Sequence, residues 1–200
     1  EELRSNGHDV MSFQVDLRDT AEIEALISGL RPSILINNAS AFTPDDISSL
    51  EPSVFNEIME TNLLAPILLV QAMTKSLEGR EGVVVNILDQ KLENPNPDFL
   101  SYTASKVALG GLTKPLAMTL APSIRLNAVS PGLTLPSPHA SVESFADVHE
   151  DTPLGRGTSP EDVAEAVSFL VASSAITGEI INVDCGERLW KSRGDRLGVE

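Results

Sequence analysis

The sequence has few of the residues that build covalent or metal frameworks, with one cysteine and three histidines in 200 residues. The single cysteine, Cys185, excludes an internal disulfide framework and a cysteine-rich metal site. It also fits a reducing compartment, so we expect a cytoplasmic protein. The histidines are scattered and form no ligand pair at helical spacing. Because zinc requires three or four clustered ligands, no metal site is predicted.

Long hydrophobic runs and excess positive charge are also missing. The longest apolar stretch, Leu63 to Val70, contains Pro66 and is shorter than the roughly 18 residues that indicate a membrane span. The chain does not open with a basic region followed by an apolar one, so we see no secretory signal. The formal net charge of −15 argues against nucleic acid and anionic membrane as partners, because both require a basic face. A phosphorylated cofactor is still compatible, since a helix N-terminus and one or two arginines can hold it.

Strand-like and helix-like segments alternate along the chain, and the strand-like runs are continuously apolar. This pattern predicts an α/β domain with a mostly parallel sheet and right-handed crossovers. The length suits a single domain. The predicted strands are Val10–Val15, Ser33–Ile36, Gly82–Leu88, Ile124–Val129 and Ile180–Val183. The predicted helices are Ala21–Leu30, Pro52–Leu77, Ser101–Leu120 and one that begins at Ser159.

Two of the predicted helices contain residues that weaken a helix. Pro66 should bend the helix of residues 52–77, because proline removes one helical hydrogen bond. Gly110 and Gly111 lie inside the helix of residues 101–120, where we expect them to serve close packing. The segment from Leu133 to Thr158 has no clear period, and a loop of that length in a compact domain is usually a lid or a binding segment.

The site candidates are the residues directly after the strands, because ligands of such a sheet bind outside the carboxyl ends of its strands. On the helix that follows the third predicted strand, Tyr102 and Lys106 lie one turn apart and share a face. A nearby ammonium lowers the pKa of a phenol from its usual value of about 10 and eases proton donation at neutral pH. The candidates after the strands are Asp16, Leu17, Asn38, Ala39, Ser40, Asp89, Pro131 and Gly132.

The arrangement of these motifs resembles the short-chain dehydrogenase/reductase family. The match covers nearly the whole chain in the right order, and it implies a Rossmann-type doubly wound parallel sheet that binds a nicotinamide cofactor. The residues that carry the resemblance are Asn37-Asn38-Ala39 after a strand, Asn62 in the next helix, Tyr102 and Lys106 at the family's four-residue spacing, and Pro131-Gly132 after a later strand.

Two departures from the common family pattern resemble its pteridine reductase branch. Asp89, thirteen residues before Tyr102, stands where most members have a serine. Ser40 and Phe42 match the serine and phenylalanine that frame the pterin in that branch, where the aromatic ring stacks on it. The resemblance implies NADPH-dependent reduction of a dihydropterin or dihydrofolate, with Tyr102 as the proton donor. The choice of NADPH over NADH rests on this resemblance alone.

Asp89 can act in more than one way beside Tyr102. An ionised carboxylate opposes the effect of Lys106 on the phenol. The residue is useful if it is protonated, if it passes protons on through water, or if it accepts two hydrogen bonds from the amino-pyrimidine edge of a pterin. By resemblance, Asn62 would hold a water that links Lys106 to solvent.

The resemblance also implies a row of cofactor contacts along the carboxyl edge of the sheet. Asp16 would bond the adenine amino group, and Leu17 would flank the adenine. The backbone of Asn38, Ala39 and Ser40 would follow the ribose. The nicotinamide end would be held by Lys106 with Tyr102 at the ribose, by the backbone of Gly132 after Pro131 at the carboxamide, and by Thr134 at the carboxamide or pyrophosphate.

The strand, glycine-rich turn, helix and second strand that open the family are not found, and no Gly-x-x-x-Gly-x-Gly segment occurs. Because a βαβ unit takes roughly 30 residues or more, residues 1–200 are interpreted as one family domain, N-terminally truncated and lacking its first strand-helix-strand unit. We favour a fragment of a longer protein over a natural short form. A natural short form would lack the helix N-terminal amides that hold the pyrophosphate.

Two other functions stay open. A reductase of the same family could act on another carbonyl, such as a sugar, steroid or acyl substrate, and the loop of residues 133–157 would decide this. The other open function is that of a non-catalytic family member that senses a dinucleotide or acts as a scaffold, although Tyr102 and Lys106 count against it.

By resemblance, the helices of residues 52–77 and 101–120 pack across a dimer interface, so we expect a homodimer or homotetramer. Trp190 and Arg193 are expected to reach a neighbour's substrate site.

Overall fold

A four-stranded parallel sheet organises the computed structural model, which describes residues 5–136, 145 and 149–189. The strands lie side by side in chain order, and each pairs in parallel with the next. Parallel neighbours need crossovers, and helices supply them here. The prediction of an α/β fold with a parallel sheet is therefore confirmed. The strands are β1 (Ile34–Asn37), β2 (Gly82–Ile87), β3 (Ile124–Pro131) and β4 (Ile180–Val183).

The helices begin where polar side chains satisfy free backbone N–H groups. Asp19 accepts hydrogen bonds from Ala21 and Glu22 at the first helix, and Ser159 forms a capping box with Asp162 at the last. The helices are α1 (Thr20–Leu30), α2 (Pro52–Met59), α3 (Ala65–Leu77), α4 (Leu100–Leu120) and α5 (Pro160–Ala172). A π turn (Glu60–Leu64) joins α2 to α3, and 3₁₀ turns lie at Gln90–Leu92 and Glu187–Leu189.

Helices cover both faces of the sheet. Val84 packs into a core that α1, α3 and α4 close, whereas the adjacent Val85 packs with Val129 against Leu170 of α5. Consecutive residues of a strand point to opposite faces, so one apolar run serves two cores. This arrangement confirms the doubly wound sheet, and it sets the carboxyl ends of the strands along one edge.

The predicted strand Val10–Val15 is wrong. In the described part of the chain this segment has no strand structure, and the side chains of Met11 and Phe13 are 68% and 54% exposed. Neighbouring β1 pairs with β2 on one side, and its Ile34 and Ile36 are also exposed. An apolar run becomes a strand only when a neighbour takes up its backbone hydrogen bonds. Among the described residues no strand lies beside this run.

The helical stretch of residues 52–77 is irregular near Pro66, as predicted. The irregularity is one wider helical turn and not a simple bend. Pro66 has no N–H to donate to the carbonyl four residues back. The preceding turn is a π turn, in which the N–H of Ala65 donates to the carbonyl of Glu60, five residues back. This wide turn carries Asn62 inward, where its side chain is buried.

The same stretch is long and apolar enough, by length and composition alone, to cross a membrane. In the structure, apolar side chains of this stretch pack into the hydrophobic core. Ala65, Leu69, Met73 and Leu77 are buried in the core that α1 and the sheet complete. Packing in a protein core accounts for this composition.

The two glycines of α4 differ in their surroundings. A Cβ on Gly110 would meet Leu92 Cδ2 at 2.4 Å, so the 3₁₀ turn that follows Asp89 packs directly on the helix backbone. A Cβ on Gly111 would meet nothing within 4 Å. The close-packing prediction is thus confirmed for Gly110 and wrong for Gly111. The close contact at Gly110 brings Asp89 next to the helix that carries Tyr102.

Candidate active site

Asp89 and Tyr102 meet at the carboxyl end of β2. The Tyr102 hydroxyl donates a hydrogen bond to Asp89 Oδ2 at 2.8 Å. The other carboxylate oxygen, Oδ1, accepts the backbone N–H of Lys91 at 2.8 Å and so caps the 3₁₀ turn. The carboxylate is therefore held by the loop on one side and by the phenol on the other.

Lys106 is buried beside Tyr102 on the same face of α4. Its Nζ lies 5.6 Å from the centroid of the Tyr102 ring and donates to the carbonyl oxygen of Ile87 at 2.8 Å. Both side chains are buried, with 4% of Lys106 and 7% of Tyr102 exposed. The spacing of four residues thus brings the two side chains together, and the end of β2 anchors the ammonium.

The electrostatics of the site differ from the expectation for a tyrosine beside a lysine. Burial, together with the adjacent Asp89 carboxylate, raises the pKa of Tyr102 well above its usual value, so the opposing effect expected of an ionised Asp89 outweighs that of Lys106. The carboxylate touches the phenol, whereas the ammonium points at a backbone carbonyl. Burial also lowers the pKa of Lys106 to about 8, although Asp89 opposes this shift.

Asp89 itself holds its proton more tightly than an exposed aspartate. Burial raises its pKa, and the hydrogen bonds from Lys91 and Tyr102 and the charges of Lys91 and Lys106 offset only part of that effect. A carboxyl group with raised pKa beside a phenol is a group that can exchange a proton with it. The site therefore contains two neighbouring proton carriers, Asp89 and Tyr102.

Asn62 joins two walls of the site. Its side-chain amide accepts the N–H of Ala41 at 2.7 Å and donates to the Ala41 carbonyl at 2.9 Å and to Ser105 Oγ at 3.1 Å. The segment after β1 is thereby fixed against α4. The water-holding role expected for Asn62 stays a prediction.

An aromatic cluster borders Tyr102. Phe42 packs edge-on against Tyr102, with ring centroids 4.7 Å apart, and its predicted stacking on a pterin stays a prediction. Phe99 stacks on Phe42 at 4.1 Å, and Lys91 Nζ lies 5.2 Å from the Phe99 centroid. The sequence reasoning missed Phe99 and Lys91, because no local pattern links them to residue 42. Ser40, next to this cluster, is exposed.

Asp45 supplies the N-terminal cap of the helix that carries Tyr102. The residue at the cap position, Phe99, has no capping side chain and a left-handed backbone (φ 58°). Asp45 instead accepts the N–H of Ser101 at 3.1 Å and also bonds the Ser101 hydroxyl. Asp45 is 56 residues away in the chain, so sequence spacing gave no signal for it.

The residues expected at the adenine end lie on the surface. Asp16 forms an exposed ion pair with Arg18 at 2.9 Å, and this hydrogen-bonded guanidinium lowers the pKa of Asp16. The side chain of Leu17 is partly buried and packs against the hydrophobic core. Asn38 and Ala39 are exposed just beyond β1. Asn38 and Ala39 thus follow a strand at the carboxyl edge of the sheet, whereas Asp16 and Leu17 follow a segment that is not a strand.

The segment after β3 is held by a residue that sequence reasoning missed. The N–H of Leu133 donates to Glu187 Oε2 at 2.9 Å, and Thr134 Oγ1 donates to the carbonyl of Gly132 at 2.8 Å. Pro131 is the last residue of β3. The middle of the predicted binding loop, residues 137–144 and 146–148, and the tail with Trp190 and Arg193 lie outside the described residues.

A doubly wound parallel sheet with a buried Tyr-Lys pair behind a central strand defines an oxidoreductase of the short-chain type. A family model described as enoyl-(acyl carrier protein) reductase matches residues 1–187. The chain belongs to the short-chain dehydrogenase/reductase family, which confirms the family prediction.

The chain is similar in sequence and structure to other oxidoreductases. The chain is 35% identical over 183 residues to a 3α-hydroxysteroid dehydrogenase of Mediterraneibacter gnavus, covering 86% of this chain and 73% of that protein. Two solved structures of FolM alternative dihydrofolate reductase 1 with NADP, from Brucella canis and Brucella suis, each superpose with a TM-score of 0.89. They are 33% and 34% identical, and the matches cover 98% and 96% of this chain and 80% of each FolM chain.

Proposed function

We propose that this protein reduces a dihydropterin or dihydrofolate with NADPH, with Tyr102 as the proton donor. The observation that carries the proposal is the 2.8 Å hydrogen bond from the Tyr102 hydroxyl to Asp89. A carboxylate at this position can bind the nitrogen-rich edge of a pterin and can exchange a proton with the phenol. The likeness to the FolM structures supports the same substrate class.

Asp89 has room for further hydrogen bonds. Each carboxylate oxygen accepts one bond, from Lys91 N or from Tyr102, and each oxygen has a second lone pair. Two N–H donors of an amino-pyrimidine can be accepted side by side in the way that a carboxylate accepts a guanidinium. A serine hydroxyl has one oxygen, so it cannot form this paired contact.

Phe42 supplies the second part of the proposed substrate site. A flat heteroaromatic ring gains energy by stacking on an aromatic side chain. In the structure, Phe99 already stacks on one face of Phe42. A pterin that stacks on Phe42 must therefore use the opposite face or take the place of Phe99.

The residues at the nicotinamide end fit NADP(H). An ammonium has three N–H donors, and the hydrogen bond of Lys106 to the Ile87 carbonyl uses one, which leaves donors for ribose hydroxyls. The backbone beyond β1 at Asn38 and Ala39 is exposed. Among the described residues, the buried Ser130 hydroxyl at the end of β3 also has no hydrogen-bond partner. NADPH bound along this edge would supply the hydride.

Protein side chains supply the proton that accompanies the hydride. Tyr102 keeps its proton at neutral pH, because burial and Asp89 raise its pKa, and donates it to the substrate nitrogen as the C=N bond is reduced. Asp89 can then take up a proton from solvent and pass it to the phenolate along the 2.8 Å hydrogen bond. Lys106, anchored on Ile87, keeps a positive charge beside the ring and stabilises the phenolate during this exchange.

Oxidation of NADPH by the purified protein with 7,8-dihydrobiopterin or 7,8-dihydrofolate tests the proposal. We expect turnover that is lost in Tyr102→Phe, strongly reduced in Asp89→Ser, and unchanged in Glu165→Gln, an exposed carboxylate on α5. Full activity of Asp89→Ser on pterins would show that the carboxylate does not select the substrate.

A reductase of another carbonyl substrate is the second candidate. The 35% identity to a hydroxysteroid dehydrogenase supports it, since the steroid enzyme shares the family and most of the chain length. Turnover of ketosteroids or simple ketones, with none on dihydropterins, would favour this function. Binding of NADPH without turnover of either class would favour the non-catalytic alternative.

We also propose that the helical stretch of residues 52–77 and α4 lie at an interface between copies of this chain. Val107 and Met118 are 48% and 80% exposed, and Leu64 on the adjoining π turn is 47% exposed. Exposed apolar side chains along one helix surface are typical of association sites. Sedimentation of the protein and of Val107→Asp tests this: a dimer or tetramer that dissociates in the variant is expected, and a monomeric parent protein would refute it.

A further inference from the structure

Glu187 lies where the carboxyl ends of three strands meet. It belongs to the 3₁₀ turn directly after β4. One carboxylate oxygen accepts the N–H of Leu133, beyond β3, at 2.9 Å, and the other accepts Gln90 Nε2, beyond β2, at 3.4 Å. One side chain thus connects the loop that carries Asp89 to the segment after Pro131.

Gly132 shows how closely Glu187 is seated. A Cβ at Gly132 would lie 2.6 Å from Glu187 Oε2 and 2.9 Å from the Cα of Asp184, so any other residue would displace the carboxylate or the backbone. The carboxylate occupies the space that a side chain would take. The glycine of the Pro-Gly pair is therefore required here by Glu187 as well as by the backbone of the neighbouring turn.

The charges around Glu187 are mostly negative. Burial raises its pKa, and the carboxylates of Asp89 and Asp184 raise it further, while the Leu133 N–H and His149 act in the opposite sense. The nearby guanidinium of Arg188 is bonded to Asp184 and Glu93 instead. Glu187 and Asp89 therefore repel one another as carboxylates.

We propose that Glu187 is a positioning residue of the reductase site, which holds the Gly132–Leu133 backbone against Gln90 and places a second carboxylate beside Asp89. The proposal rests on the proposed function, because it assigns Asp89 and the segment after Pro131 to that site. Since carboxylate charges raise each other's proton affinity, the Asp89 charge raises the pKa of Glu187, and the two carboxylates titrate as a coupled pair. Its backbone contact keeps the Leu133 segment in a single position.

The positional part is tested by hydrogen exchange, which needs neither cofactor nor substrate. In Glu187→Ala the amide of Leu133 loses its acceptor, and we expect it to exchange about tenfold faster, the factor for one net hydrogen bond. Glu187→Gln keeps an acceptor and should keep most of the protection. Equal exchange in all three proteins would overturn the positional role, whatever the protein's substrate is.

The electrostatic part is tested by pH profiles of kcat/KM for the substrate that is turned over. Asp89→Asn identifies the limb that belongs to Asp89. In Glu187→Gln we expect that limb at lower pH by roughly half a unit to one unit, because a nearby negative charge is removed. Glu165→Gln, an exposed carboxylate on α5, should leave the limb in place.

An unmoved limb in Glu187→Gln would overturn the electrostatic role. The failure of the proposed function looks different: no dihydropterin would be turned over, while the exchange difference at Leu133 would persist. The dissociation constant of NADPH adds a third measurement. We expect it to rise in Glu187→Ala and to be restored in Glu187→Gln, since the Leu133 segment then keeps its contact.

Discussion

Two apolar segments of this chain received the same prediction and have different structures. The run 82–88 is a central strand, and the residues beyond it form a buried cluster of Asp89, Tyr102 and Lys106, which is the proposed proton-delivery site. The run 10–15 is irregular, and its Met11 and Phe13 are exposed, as are Ile34 and Ile36 of β1; these exposed apolar residues are called the open edge below. An apolar run becomes a buried strand only when neighbours cover it on both sides. The comparison therefore distinguishes a buried part of the protein, around Tyr102, from an exposed part, the open edge.

The largest expected effect is the loss of the phenol. Tyr102→Phe removes the proton donor and its bond to Asp89, so we expect kcat to fall by about 10²- to 10⁴-fold. At the open edge, Asp16→Asn removes an exposed ion pair and should change mainly the KM for NADPH. Steady-state kinetics of both variants measure this contrast. If kcat were as low in Asp16→Asn as in Tyr102→Phe, the expected contrast between the two sites would be wrong.

Core and edge side chains should differ in their contribution to stability. Met73 is fully buried in the core beneath β2, so Met73→Ala should lower the free energy of unfolding by about 2–5 kcal/mol. Phe13 is 54% exposed, and Phe13→Ala should change it by about 0.5 kcal/mol or less. Urea unfolding compares the two. An equal loss in both variants would mean that the open edge is covered in solution.

The buried ammonium predicts a pH dependence. Burial lowers the pKa of Lys106 to about 8, so its positive charge is present below that pH and is lost above it. We expect kcat/KM to decline above about pH 8, by about tenfold per pH unit if the charge is essential. Lys106→Arg stays charged and should lose this limb. A decline that survives in Lys106→Arg would assign the limb to another group.

The smallest expected effect concerns the distant cap of α4. Asp45→Ala leaves the Ser101 N–H without its acceptor, and we expect a loss of about 0.5–2 kcal/mol in the free energy of unfolding. Asp46, its neighbour, is exposed, and within the described part of the chain it bonds only inside its own turn, to Ser48 and Ser49. Asp46→Ala should therefore destabilise the protein less. Thermal unfolding of the two variants distinguishes a helix cap from a local turn.

Much of the fold could be predicted because its signals are local. Continuous apolar runs predicted four of the strands, and Ser159 with its acidic neighbours predicted the start of α5. The four-residue spacing of Tyr102 and Lys106 predicted a shared helix face. The prediction that both glycines of α4 serve close packing was right for Gly110 and wrong for Gly111. Whether a glycine faces a neighbour depends on the neighbour, which its own segment does not encode.

The site residues that were missed depend on contacts between distant parts of the chain. Asp45 caps Ser101 across 56 residues, and Glu187 meets Gln90 across 97. Phe99 joins Phe42 from another loop. Whether Lys106 or Asp89 dominates the pKa of Tyr102 could not be predicted from the sequence for the same reason. The spacing placed Lys106 nearby, but three-dimensional packing buried the phenol and set Asp89, not Lys106, against its hydroxyl.

The amino-acid sequence by itself determined the parallel α/β architecture, the family, and the residues that make up the cluster of Asp89, Tyr102 and Lys106. These follow from periodicity and short spacings, which the backbone converts directly into shared faces and strand ends. Only the tertiary structure decided which apolar run is covered and which carboxylates surround the cluster. Burial and charge proximity are properties of neighbours in space, and they set both the pKa values and the open edge.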